Sequence, residues 1–89
     1  MKTVPKHFKA FFWDVDIDKL DLEKNKFFII ERLLNEGDHN SLHWLFQNFT
    51  GAEIKEVVKK SRGLSTDIAH CWRNYFNLKE EEMRCFGKL

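Results

Sequence analysis

Eighty-nine residues make a single domain with a thin core, and nine Phe, three Trp and one Tyr supply much of the apolar area that so small a core needs. A charged fraction of 33% and a net charge of +1 exclude a disordered chain and give no bulk bias toward polyanionic partners. Two cysteines are too few for a disulfide scaffold, and the longest apolar runs, AFFW and FFII, fall far short of the roughly 20 residues that span a membrane.

Charge is unevenly spread. Residues 1–13 carry Lys2, Lys6 and Lys9 and no acid, and residues 1–10 are expected as a flexible arm on a domain covering 1–89. Residues 14–38 carry eight acids against four bases. Between these blocks lies FFWDVDIDKLD, three aromatics running into Asp14, Asp16, Asp18 and Asp21. DVDIDK imitates the opening of an EF-hand loop, but its sixth position is Lys19 where Gly is needed and its twelfth is Asn25 where a bidentate Glu is needed. Paired acids for two-metal phosphoryl chemistry would need a rigid strand and a phosphate-cradling loop, and neither is present in the pattern. The acids then start a short turn at Asp16 or Asp18 and cap the next helix at Asp21. The aromatics are either a plug on the core or a docking patch. In the second reading Phe11, Phe12 and Trp13 anchor a protein partner, while Asp14, Asp16 and Asp18 steer its basic surface.

Helix punctuation is legible from there on. Asp21 predicts a central helix from Leu22 to Glu36, ending at Gly37, with Leu22, Phe27, Ile29, Ile30, Leu33 and Leu34 as its apolar stripe. Asn40 is expected to cap a short helix with Leu42, Leu45, Phe46 and Phe49 at helical spacing. Thr50 and Glu53 fit a capping box for a helix over 52–61 that buries Ile54, Val57 and Val58. Gly63 and Leu64 suggest a Schellman stop. Ser65 starts another helix with Ile68, Ala69, Trp72, Tyr75 and Phe76 inward, which makes Trp72 a core anchor. Residues 77–80 begin a short terminal helix through EEEMRCF. No segment alternates with period two, so the fold class is all-α: a compact bundle of four to five short helices, with a helix-turn-helix-like pair in the second half.

That pair carries a second functional pattern. Lys55, Lys59 and Arg62 form a basic stripe, and Thr66, His70, Arg73 and Asn74 a polar face, which together suit phosphate and base-edge contacts. The plain alternative is the solvated face of an amphipathic helix. Roughly five basic contacts give useful affinity only at modest salt unless the protein forms a homodimer. His70, Cys71 and Cys85 lack zinc-site spacing, and Cys71 reads as a small core residue. His43 reads as a helix-surface histidine, and no serine sits in a nucleophile elbow.

FWDVD, the Leu-Asp after it, the IIER run ending in Gly, WLF and the late LS…W resemble a set of small prokaryotic proteins of unknown function, from about Phe8 to Cys85. Such proteins are often encoded beside abortive-infection nucleotidyltransferase toxins. The resemblance implies an antitoxin-like or regulatory protein, though its members commonly have Phe-Trp where this chain has Cys71-Trp72. The expectation is therefore a non-enzymatic cytoplasmic interaction protein with no cofactor and no metal. Its partner would be a protein, a nucleotidyltransferase toxin by the resemblance. The alternative is a helix-turn-helix-like DNA-binding regulator.

Overall fold

The computed structural model describes residues 3–83. Within them the fold is an all-α bundle of four α-helices, α1 (Lys26–Glu36), α2 (His39–Asn48), α3 (Gly51–Lys60) and α4 (Thr66–Phe76), with 3-10 segments at Lys6–Phe12, Ile17–Lys19 and Glu80–Glu82. An isolated bridge pairs Thr3 with Asp21. Helix α1 is the hub. It buries Ile29, Ile30, Leu33 and Leu34 and packs against α2, α3 and the N-terminal 3-10 segment, while α4 packs on α3.

The expected flexible arm is docked over its described part. Pro5 fixes the backbone at the start of the first 3-10 segment, and the Phe8 N–H donates to the Pro5 carbonyl at 3.1 Å. Val4, Phe8 and Phe12 are then buried, and the Phe8 ring meets the edge of Trp44 on α2, with centroids 5.7 Å apart. Apolar burial outweighs the lysines of this segment, because Lys6 and Lys9 point outward.

Helix α1 begins a turn later than the sequence suggests. The Asp21 carboxylate accepts the backbone N–H groups of Glu23 (2.7 Å) and Lys24 (3.0 Å), and Asn25 Oδ1 accepts the Asp21 N–H at 3.0 Å. Asp21 thus caps a turn and Asn25 precedes the helix, an arrangement that leaves Phe27 exposed rather than inward. The α2 cap is Asp38, not Asn40: its carboxylate accepts the Ser41 N–H at 2.9 Å, and the buried Ser41 hydroxyl donates to the Asp38 carbonyl at 3.0 Å. The capping box of α3 is complete, with Glu53 N–H to Thr50 Oγ1 at 3.1 Å and Thr50 N–H to Glu53 Oε1 at 2.9 Å.

The Schellman stop lies one helix further on than expected. Asn77 takes the left-handed conformation (φ 55°), and the Leu78 N–H donates to the Arg73 carbonyl at 2.9 Å and the Asn77 N–H to that of Asn74 at 3.3 Å. Leu78 supplies the buried apolar contact. The α3–α4 loop is instead held by α1. Asn35 donates to the Gly63 carbonyl (2.6 Å) and accepts the Ser65 N–H (3.0 Å), while the Ser61 hydroxyl donates to Glu31 at 2.5 Å. Glu31 and Asn35 lie four residues apart on one helix face. Gly63 lies against the Glu31 carboxylate, 3.1 Å from where a Cβ would stand. The terminal helix is a 3-10 turn at Glu80–Glu82 followed by the buried Met83, and the rest of EEEMRCF lies outside the described residues.

Two glycines give opposite expectations. Gly37 has an ordinary backbone (φ −70°), but a Cβ there would collide with the Leu33 carbonyl and the Ser41 hydroxyl. Gly37→Ala should therefore cost about 1–3 kcal/mol despite its gain in chain stiffness. Gly51 has open space at the start of α3, so Gly51→Ala should add roughly 0.5 kcal/mol. Urea denaturation of the pair measures both signs.

Candidate functional site

The aromatic triplet divides between core and surface. Phe12 is 0% exposed, Phe11 is half-buried, and Trp13 stands 76% exposed. Phe12 is therefore removed from the docking residues expected from the sequence. Phe12 ends the Lys6–Phe12 3-10 segment four residues after the buried Phe8 and turns into the core with it, whereas Trp13 lies just past the segment's end and turns out.

Asp14 is not a free acid. Its two carboxylate oxygens accept from Arg32 Nη1 at 2.7 Å and Nη2 at 2.9 Å, a bidentate pair between the FWDVD segment and the IIER run of α1. Nη1 also donates to the Phe11 carbonyl at 3.0 Å, and the guanidinium lies over Phe28 (4.8 Å to the ring centroid) and near Phe12 (5.9 Å). The Arg32 hydrogen bonds hold the Asp14 carboxyl below its ordinary range. Sequence reasoning missed this partner. The signal was there: Arg32 is the lone arginine within the acidic block of residues 14–38.

Asp16 caps the short 3-10 turn by accepting the Asp18 N–H at 3.1 Å, and both side chains are exposed. They share a cleft of about 390 Å³ with Lys6, Lys9, Val15 and Ile17. The steering reading is weaker for it, since Asp14 is matched by Arg32 and the other two acids face lysines. What remains of the expected docking surface is Trp13, flanked by the part-exposed Val15 and a rim of both charge signs.

The carboxylates here and elsewhere make a pH prediction. Asp21 is held low by the Lys24 and Glu23 N–H groups, Asp38 by the Ser41 N–H, Glu53 by the Thr50 N–H and then Lys26, and Glu56 by Lys60. A carboxyl whose folded pKa is depressed stabilises the fold above its ordinary value and loses that contribution as pH falls through the folded value. The melting temperature should therefore hold from neutrality down to the ordinary values of 4.5 and 3.8 and drop below them. A melting curve at several pH values checks this, and Asp14→Asn should flatten part of the drop.

The second-half face is only partly available. Lys55, Arg62, Thr66 and Asn74 are exposed, whereas Lys59, His70 and Arg73 are half-buried. Arg73 folds back on its own helix end, with Nη1 donating to the Leu78 carbonyl at 3.4 Å. Cys71 is exposed rather than a core residue. Trp72 is half-buried and Tyr75 is 65% exposed, although both were expected inward. The helix phase is right, but α4 rests on α3 with only Ala69 fully buried, so the described residues leave the outer part of its apolar face uncovered.

A cleft of about 450 Å³ lies between the start of α1 and the α2–α3 junction, lined by Leu22, Glu23, Lys26, Asn48, Phe49 and Glu53. Two of its three charged groups, Lys26 and Glu53, are paired at 3.0 Å, and Glu23 is the third. Among the described residues no three His, Cys, Asp or Glu side chains converge, and no helix is long and apolar enough to cross a membrane.

The profile of DUF6922, a family of unknown function, matches residues 7–58, more than half of the chain. The chain belongs to the DUF6922 family. The matched stretch holds both sides of the Asp14–Arg32 clamp and runs from the N-terminal 3-10 segment into α3. Helix α4, with its aromatic face, lies beyond the DUF6922 match. No curated protein and no solved structure matches the chain.

Proposed function

We propose that this DUF6922 chain is a small non-enzymatic interaction protein that docks on a protein partner through Trp13. The observation that carries the reading is the setting of that indole. It stands 76% exposed between a residue locked in the core and a residue clamped by Arg32. An aromatic side chain held outward on a fixed backbone loses little entropy on binding, and tryptophan is enriched among residues that dominate interface energies. The resemblance to proteins encoded beside abortive-infection nucleotidyltransferases supplies the partner class, and the role is then antitoxin-like or regulatory. The compartment that goes with this role is the cytoplasm.

The second reading, a helix-turn-helix-like DNA-binding regulator, draws on the exposed Lys55, Arg62, Thr66 and Asn74 beside the α3–α4 turn. One experiment separates the two. The chain is co-expressed with the product of each neighbouring gene, a nucleotidyltransferase being the one the proposal expects, and complex formation is read by co-elution and growth rescue. In parallel, DNA from upstream of the gene is titrated with the purified chain at two salt concentrations. Co-elution with rescue supports the docking reading. Neither co-elution nor rescue, together with DNA binding whose salt slope falls by about 1 on Lys55→Gln, replaces it with the second reading.

A further inference from the structure

The charges around the cleft beside Trp13 are left unmatched. The cleft measures about 390 Å³ and is lined by Lys6, Lys9, Val15, Asp16, Ile17 and Asp18. The first 3-10 segment supplies both cations, and the Ile17–Lys19 turn with its cap supplies both anions. All four charged residues are exposed, and no ion pair joins the two sets. Neither lysine has a side-chain partner among the described residues, and Asp16 accepts only the Asp18 N–H. The buried Ile17 and the part-exposed Val15 give the cleft an apolar lining. It is also continuous with the indole. The Val15 N–H donates to the Phe12 carbonyl at 3.2 Å and closes a turn that contains Trp13 and Asp14.

Unmatched charges of both signs at one opening select by exclusion. A segment of one sign is attracted to one pair and repelled by the other. A segment with an apolar side chain between an acid and a base meets each pair with the opposite charge and covers Ile17. Two lysines and two aspartates cancel, so the opening exerts little long-range pull and reads a charge pattern at contact.

We propose that this cleft takes a partner segment in which an apolar side chain lies between an acidic and a basic one, the acid on Lys6 and Lys9 and the base on Asp16 and Asp18. The segment belongs to the partner that covers Trp13, so this assignment rests on the docking reading.

Blocked peptides added to the full chain at low salt, up to about 5 mM and followed by amide chemical shifts, test the pattern. They carry Leu between Glu and Lys in both orders, between two Glu, or between two Lys. One mixed peptide should shift the amides of Val15, Ile17 and Asp18, and the two uniform peptides should bind about three- to fivefold more weakly. The double variant Lys6→Glu, Lys9→Glu should prefer the two-Lys peptide. Asp18→Lys, which leaves the Asp16 carboxylate in place, should prefer the two-Glu peptide. Equal responses to all four peptides, no response to any, or an unchanged preference in both variants overturns the assignment. Trp13→Ala separates the two readings, because the peptides reach only the cleft. It should remove co-elution with the partner and leave the peptide shifts unchanged. Failure of the peptides with co-elution that depends on Trp13 overturns the cleft and spares the docking reading. Peptide binding with co-elution that survives Trp13→Ala overturns the docking reading and spares the charge pattern.

Discussion

Phe12→Ala is expected to leave the domain largely unfolded at growth temperature. The ring is fully buried, packs 6.1 Å from the Phe28 ring and lies beneath the Arg32 guanidinium. Removing it opens a cavity between the N-terminal 3-10 segment and α1, beneath the Arg32 guanidinium. Truncation of a buried Phe costs about 3–5 kcal/mol. A domain of this size has on the order of 4–13 kcal/mol in all, so one ring accounts for a large share. The clamp would weaken with it, since the backbone carbonyl that Arg32 holds belongs to the residue before. Trp72→Ala makes the comparison. The helical spacing alone gave it the same cost, but half-burial lowers the expectation to ~2 kcal/mol. Urea denaturation followed by circular dichroism orders the two variants. A Phe12→Ala midpoint within error of the parent's would mean that the N-terminal segment is not part of the core.

The contrast between these two rings shows which parts of the fold the sequence carries. Local rules held where a motif contains its own partners. Thr50 and Glu53 cap α3 as their spacing requires, because both hydrogen bonds close within one turn. Caps were misplaced where several candidates share a turn. Asp38 and Asn40 both suit an N-cap, and the buried Ser41 hydroxyl, bonded to the Asp38 carbonyl, fixes the choice. Helical period gave the correct inward phase of α3 and α4, but a period says which side faces the bundle and not how much of it is covered. That left the exposure of Tyr75 unread. Before α1 the buried Val4, Phe8 and Phe12 recur every four residues, a spacing that separates Phe12 from Trp13 but is masked by three aromatics in a row at 11–13. The partner of Asp14 is Arg32, eighteen residues further on and beyond the reach of any local rule. The acidic run reads as a charged surface until that one cation is placed against it.

Trp13→Ala should therefore do the opposite of Phe12→Ala, one residue away. The indole is mostly in water, so its removal should leave the melting temperature within a degree or two of the parent's. Its effect should appear in binding. A buried aromatic anchor at the centre of an interface is worth about 2 kcal/mol or more, so affinity for a protein partner of the proposed kind should fall by roughly 30-fold, mostly through faster dissociation. Arg32→Met adds a distinction that simple loss of contact cannot make. It keeps a long apolar stem against Phe28 but frees Asp14 and the Phe11 carbonyl, which loosens the backbone on both sides of Trp13. If presentation on a fixed backbone matters, Arg32→Met should weaken binding while the indole remains in place, by less than Trp13→Ala. The double variant should then bind no more weakly than Trp13→Ala alone, because a clamp has nothing to present once the indole is gone. Surface plasmon resonance on the four chains reads the whole cycle. Additive losses in the double variant would mean that Arg32 meets the partner itself, and equal binding by parent and Trp13→Ala would remove the indole from the interface.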